Sequence, residues 1–370
     1  MKNLVEYVNE NRCDSIAKIE DGGWWGEIFI STKSLFYDVP TKAGNKKVFA
    51  FISRPKTPKP KNGYPAVLLI HGGNGQAFYE MANLWAERGF VTIAPDFNGK
   101  MGKNINERVV VNPEGGKEGY GSFDDFHDEN PWAFFSVLSA MRAIDVLMQD
   151  ADVDKNNVFS CGLSWGGFVQ LLLSSVDSRI KASSVIYSSA YIQQSKWGEK
   201  KFLNVSEEDK ALWLKTVAPD NYLENIKSPV FFTAGADDIA FTMENRRKTA
   251  EKISGKCYFG LRKSFPHGNF WGFEQKESAE FFNSIKSGKE VISPSISRKS
   301  GKITAIASIK NSKLSVCYTK ECLTDEDSQT WQEEKIISKK PFTLPSDTVA
   351  FFITETTQDG LIFSSNLIKI

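Results

Sequence analysis

The chain has 370 residues, 41% of them apolar and 25% charged, with 46 Lys and Arg against 45 Asp and Glu for a net charge of +1. That length can bury a full core, as one large domain with a smaller companion. The balanced charge excludes an electrostatic case for nucleic acid or an anionic membrane surface. Only three histidines are present, His71, His127 and His267, which excludes a His-built multi-metal site and leaves any imidazole base three choices.

Residues 1–14 are polar and lack the apolar core of a secretory signal. No stretch reaches the length needed to span a bilayer, so no membrane insertion is expected. The chain as it stands is expected to be cytoplasmic, or exported if an N-terminal signal has been removed. The five cysteines, Cys13, Cys161, Cys257, Cys317 and Cys322, are odd in number and form no C-x-x-C pair. Neither a disulfide framework nor a structural zinc site is indicated. Free thiols are the expectation, although Cys317 and Cys322 are spaced to bridge a turn. Cys161 sits in an apolar run and reads as core.

Residues 28–53 carry strand-like runs, clearest at 48–52, and the Pro- and Lys-rich stretch 54–65 reads as an exposed turn. A rhythm of strands and helices follows. Strands are expected at 66–70, 90–94, 157–161, 182–187, 230–234 and 256–259, where apolar runs are short and bounded by turn residues. Helices are expected at 78–88, 131–149, 242–253 and 276–285, and after the glycines at 166 and 167. Asn130 is placed to cap the second of these, with Pro131 in its first turn. Strands alternating with helices imply a mostly parallel sheet covered on both faces. Two long intervals, 98–129 and 188–219, interrupt the rhythm, and long connections of this kind are usually functional. Beyond about residue 290 the helical period disappears. Short strand candidates at 303–309, 314–319, 331–337, 348–354 and 361–370 suggest a small all-β sandwich. The expected division is therefore a catalytic domain at 1–290 and a β domain at 291–370.

Gly162-Leu163-Ser164-Trp165-Gly166 fits the G-x-S-x-G nucleophile elbow, with an apolar strand before it and an apolar helix after it. Small residues two before and two after the serine let a sharp turn close, and the helix N-terminus favours developing negative charge. A serine nucleophile needs a base. In the chain order Ser, acid, His, only His267 follows Ser164; it lies in Phe265-Pro266-His267-Gly268-Asn269 after the last strand of the series. The acid is expected just after the 230–234 strand, where Gly235-Ala236-Asp237-Asp238 offers two carboxylates; resemblance to related enzymes, which carry the acid at the third position after the glycine, favours Asp238, with Asp237 the alternative. His71-Gly72-Gly73-Asn74-Gly75 matches the HGG-type loop that supplies one oxyanion donor, expected at Gly73 or Asn74, and the second donor is the N–H of Trp165. His71 is expected to brace that loop. His127, in an acidic stretch, reads as part of a solvated loop, with a metal or substrate role through the nearby carboxylates as the alternative. Trp132, Trp197, Trp213 and Trp271 are candidates for a stacking wall, with core packing the plainer reading.

At these motifs the chain resembles the α/β-hydrolase superfamily over residues 40–288. The narrower resemblance, carried by Asp154 to Phe168 and Val176 to Ala182, is to bacterial acetyl xylan esterase-like and dienelactone-hydrolase-like proteins. It implies an α/β-hydrolase fold with a C-terminal β domain, and an esterase removing acetyl or similar small acyl groups, from carbohydrate among other alcohols. Dienelactone hydrolases carry a cysteine nucleophile where this chain has Ser164, so the resemblance does not extend to that activity. Prolyl-oligopeptidase-type peptidases resemble the chain more distantly, but the residues before the first core strand are too few to build their propeller.

The expected function is thus a serine carboxylic-ester hydrolase acting on a small-molecule or carbohydrate ester through an acyl-enzyme, with no metal or organic cofactor needed. The rivals are a peptidase of the same fold and a carbohydrate-binding or scaffolding protein with an inactive hydrolase domain.

Overall fold

The computed structural model describes residues 2–22, 32–42, 44–73, 75–99, 131–323 and 329–370. A first helix α1 (Leu4–Asn11) precedes antiparallel strands β1 (Ile19–Asp21), β2 (Thr32–Thr41) and β3 (Gly44–Ser53). The α/β series then runs β4 (Tyr64–Ile70), α2 (Tyr79–Glu87), β5 (Val91–Pro95), α3 (Trp132–Gln149), β6 (Val153–Leu163), α4 (Trp165–Val176) and β7 (Ala182–Ile186). It continues with α5 (Lys196–Lys201), α6 (Glu207–Thr216), β8 (Val230–Gly235), α7 (Met243–Lys252), β9 (Cys257–Arg262), α8 (Asn269–Glu274) and α9 (Glu277–Ser287). Strands β10 (Ser295–Lys299), β11 (Lys302–Ile306), β12 (Lys313–Thr319), β13 (Gln332–Ile336), β14 (Pro341–Phe342), β15 (Ala350–Thr356), β16 (Ile362–Ser364) and β17 (Ile368–Lys369) complete the described chain.

The central strands β5, β4, β6, β7, β8 and β9 are neighbours in that order and all pair in parallel. Buried on both faces, they read as unbroken apolar runs in the sequence. Alternation sorts their side chains between two cores. Ala66, Leu68 and Ile70 of β4 face α1, α3 and α4, while Val67 and Leu69 face α2 and α9. From β4 the chain steps to β5 on one side and then crosses to β6 on the other. The carboxyl ends of β4 and β6 therefore lie at a topological switch point, where open α/β sheets leave a crevice. Arg142 of α3, 3% exposed, ties this layer to the N-terminal segment through the Asp38 carboxylate at 2.9 Å and the Ser15 carbonyl at 2.6 Å. Among the described residues no helix is long and apolar enough to cross a membrane.

The C-terminal strands extend this sheet. Beyond β9 the order continues β16-β15-β12-β13, with β17 paired to β15, so among the described residues 14 strands share one sheet. A separate three-stranded sheet, β10-β11-β14, packs over one face of the extension through Ile303, Ala305, Leu314, Val316, Phe351 and Ile353. The other face carries Cys317, Trp331 and Phe352 into a cluster with Phe232 and Phe259 of the central sheet and Met243 and Ala250 of α7. The region has two layers, as a sandwich does, but one layer and one core are continuous with the α/β unit. Helix α3 begins at Trp132 with Pro131 in the capping position, one residue later than the sequence suggests; the Pro131 carbonyl accepts the Phe135 N–H at 2.9 Å, and Asn130 lies outside the described residues. Cys13, Cys161, Cys257 and Cys317 carry free thiols, and burial pushes the Cys161 thiol up to about 12.

Because Phe352 packs into the shared cluster, Phe352→Ala is expected to lower stability by about 3–5 kcal/mol. A urea melt followed by fluorescence and circular dichroism should show one coincident transition. Two separate transitions, with only one displaced, would show that the C-terminal strands fold independently.

Candidate active site

Strand β6 ends in a turn that places Ser164 at φ 55°, ψ −118°, a conformation that side-chain-bearing residues rarely adopt. The neighbouring glycines make it possible by close approach. A Cβ on Gly162 would fall on the Gly166 carbonyl, and one on Gly166 would fall on the carbonyl oxygens of Ile70 and His71. The Ser164 N–H donates to the Ile186 carbonyl at 2.8 Å, and its own carbonyl accepts from Gly167 and Phe168 in the first turn of α4. The turn lifts the hydroxyl out of the sheet while the backbone stays anchored to it.

The loop after β9 brings His267 to that hydroxyl. Its Nε2 lies 2.8 Å from Ser164 Oγ, and its Nδ1 lies 3.2 Å from Asp238 Oδ2. Of the two adjacent carboxylates after β8, Asp238 is thus the one that reaches the imidazole. Asp238 Oδ1 accepts the backbone N–H groups of Ala240 at 3.0 Å and Phe241 at 3.2 Å, which aims Oδ2 at the ring. Asp237 turns the other way and accepts from the Ser264 hydroxyl and, at 3.3 Å, from the Phe265 N–H. It pins the histidine loop to the end of β8.

Three groups around this line carried no sequence signal. Tyr187, just past β7, stacks on one side of the His267 ring at 4.9 Å between centroids; Phe241 stacks on it at 6.2 Å with an interplanar angle of 10°. The Tyr187 hydroxyl is buried, has no partner among the described residues, and burial pushes its pKa well up, so it stays protonated. Arg246 of α7 is buried with its Nη2 3.8 Å from Asp238 Oδ2 and 2.8 Å from the Phe241 carbonyl. Burial brings this guanidinium down to about 10, against the pull of Asp238, and it remains a cation at neutral pH. These residues are scattered over the chain, and only the fold gathers them. Alternation or spacing marks each merely as core or as helix surface.

The HGG loop borders the elbow: a Cβ on Gly72 would sit 3.3 Å from Ser164 Cβ. Gly73 lies in a turn closed by the Gly75 N–H to the Gly72 carbonyl at 3.1 Å. Asn74 lies outside the described residues, as does His127. Trp165 opens α4 directly after Ser164. His71 braces this loop as expected. The Phe97 N–H can only donate, so His71 Nε2 accepts it at 3.0 Å and the ring proton sits on Nδ1, which donates to the Gly72 carbonyl at 2.8 Å. A second brace runs from Trp132 Nε1 to Asn98 Oδ1 and from Asn98 Nδ2 to the Gly75 carbonyl, at 3.1 and 3.0 Å. Trp132 and Trp213 are therefore buried structural residues, whereas Trp197 is half-buried and Trp271 is 49% exposed. Among the described residues no three His, Cys, Asp or Glu side chains gather as a metal-binding group.

A serine on a strained strand-to-helix turn, with a histidine on the loop after the last parallel strand, defines the α/β-hydrolase class. Residues 49–280 match the model of the dienelactone hydrolase family, and the chain belongs to that family. Solved structures share the fold at low identity. Acetyl xylan esterase 1 from Thermoanaerobacterium sp. JW/SL YS485 aligns with a TM-score of 0.58 and 18% identity, covering 76% of this chain and 92% of that one. An acetyl xylan esterase from Paenibacillus sp. R4 gives 0.57 and 18% over the same shares. The acylaminoacyl peptidase of Pyrococcus horikoshii gives 0.51 and 11%, covering 70% of this chain and 42% of that one. No curated protein matches the chain in sequence.

Arg246→Met would leave the buried Asp238 carboxylate its two N–H donors and His267 but no facing cation. The expected loss of stability is about 3 kcal/mol, read from a denaturant melt, with Arg246→Lys losing less. An unchanged midpoint for Arg246→Met would refute the electrostatic role.

Proposed function

We propose that the protein is a serine carboxylic-ester hydrolase that removes acetyl or other short acyl groups, with acetylated carbohydrate as the favoured substrate class. The observation that carries this reading is the hydrogen-bonded line from Ser164 Oγ through His267 to Asp238, set on the strained elbow. Ser164 Oγ attacks the ester carbonyl as His267 Nε2 takes its proton. Asp238 orients the ring and stabilises the imidazolium. The N–H of Trp165 and an N–H from the Gly73–Asn74 stretch receive the oxyanion, each worth about 3 kcal/mol of barrier. Collapse of the tetrahedral adduct breaks the bond to the alcohol, which leaves with the proton from His267. Water then gives a proton to His267 and attacks the acyl-enzyme, and the acid departs as Ser164 regains its proton.

One feature supports a short acyl group and another the carbohydrate ester. The elbow borders bulky rings: Trp165 and Trp197 lie 6.3 Å apart, and Trp197 and Phe241 lie 6.0 Å apart. The likeness to two acetyl xylan esterases, which extends over most of their length, supports the carbohydrate ester.

Ser164→Ala is expected to lower kcat on p-nitrophenyl acetate by about 10⁴-fold or more. A fluorophosphonate probe should label wild-type Ser164 and no other residue. Faster cleavage of peptide anilides than of acetyl esters would favour a peptidase, and a folded wild type that takes no label would favour an inactive binding protein. Asp238→Asn should lower kcat by about 10⁴-fold through the wrong imidazole tautomer. Asp237→Asn should leave most activity, so equal losses in the two variants would contradict the assignment of the acid.

A further inference from the structure

The strand that joins the C-terminal extension to the central sheet also reaches the loop that carries His267. β16 pairs with β9 at Ser364 and Phe259, and the Ser364 hydroxyl accepts the Leu261 N–H at 2.9 Å. Two residues earlier, the Ile362 N–H donates to Glu277 Oε1 at 2.9 Å. The same oxygen accepts Arg262 Nη2, at the end of β9. The Arg262 guanidinium lies over the Phe265 ring, 4.3 Å from its centroid. Phe265 packs on Tyr187 at 4.9 Å, and Tyr187 stacks on the His267 imidazole at 4.9 Å. Each step is a hydrogen bond or a ring contact.

Glu277 is 3% exposed, and a carboxylate so buried must keep its partners. Those it is seen to have are a strand N–H from the extension and one guanidinium. Held at that end, Arg262 cannot swing off the Phe265 ring, and a cation over an aromatic face is itself attractive. Phe265, two residues before His267, is thereby caught between Arg262 and Tyr187. The family match spans residues 49–280, so Ile362 and Ser364 lie outside it. We infer that the C-terminal extension is a positioning element for His267: strand β16, acting through Glu277, Arg262 and Phe265, holds the imidazole at Ser164. The inference rests on the proposed role of His267 as the base. It gives the extension a part in turnover in addition to covering the sheet edge.

The test uses the full chain, with folded sites counted by stoichiometric fluorophosphonate labelling of Ser164. Displacing a catalytic group by a fraction of an ångström is expected to lower kcat per labelled site about tenfold in Glu277→Gln and in Arg262→Met, with KM for p-nitrophenyl acetate within about twofold of wild type. Arg262→Lys, which keeps a cation above the ring, should recover at least half of the loss. The double variant should be no slower than the slower single one, because both changes interrupt one path. A merely structural role would reduce the labelled fraction and the melting temperature and leave kcat per labelled site unchanged; that result in Glu277→Gln overturns the inference. Glu277→Gln is isosteric and decides alone if Arg262→Met yields no labelled protein. Failure of wild type to label at Ser164 would instead overturn the hydrolase reading.

Discussion

One backbone turn governs the site. Ser164 is held at positive φ, at a cost on the order of 1–3 kcal/mol, and it stays there because the surroundings leave it no other position. Its N–H is bound to β7 and its carbonyl to α4, Gly162 closes against α4, and Gly166 is pressed against the end of β4. Release of any one of these would let the turn relax into the sheet plane and withdraw the hydroxyl from His267. The parallel pairing of β4, β6 and β7 is therefore the foundation on which the chemistry stands. The HGG loop, the elbow and the segments carrying Asp238 and His267 all leave the same carboxyl edge of that sheet.

The imidazole is positioned by a second set of constraints. Two aromatic rings stack on the imidazole while Asp238 holds one nitrogen and Ser164 meets the other. Asp238 is in turn oriented by two N–H groups and faced by the buried Arg246. The side chain of His267 remains 32% exposed, so the proposed base is fixed in direction yet open to solvent. The sheet solves a related problem at its far end. Strand β9 would present unpaired N–H and C=O groups to solvent, a template for association. The extension covers it and moves the edge to β13, whose Gln332, Glu333, Glu334 and Lys335 are exposed and polar. A charged edge discourages a further strand from adding.

Much of this architecture is legible in the sequence because its causes are local. Strands buried on both faces must be apolar throughout, so the parallel series stands out at 66–70, 157–161, 182–187 and 230–234. The elbow and the HGG loop announce themselves through glycines that the geometry demands. Elements with weaker local causes escape. β10 is five residues of mostly exposed, polar chain whose strand state depends on pairing with β11. α8 is six residues long and sits next to the histidine loop, with no cap hydrogen bond to mark it. The all-β texture after residue 290 is plain, but the joining of one layer to β9 rests on a single paired position and a serine hydroxyl, which no periodicity records.

The sequence by itself determined the order of the candidate groups: one serine in an elbow, two carboxylates after the next strand but one, and one histidine late enough to serve. Scarcity did much of this, since three histidines leave few assignments. The tertiary structure alone decided which carboxylate faces the imidazole. Asp237 and Asp238 are adjacent and chemically identical, and only the direction of the chain leaving β8 turns one toward His267 and the other toward Ser264. It alone also brought Tyr187, Phe241, Arg246, Arg262 and Glu277 to the site. Contacts between residues far apart in the chain depend on the packing of whole elements, and a linear pattern encodes only what neighbours along one helix or strand require.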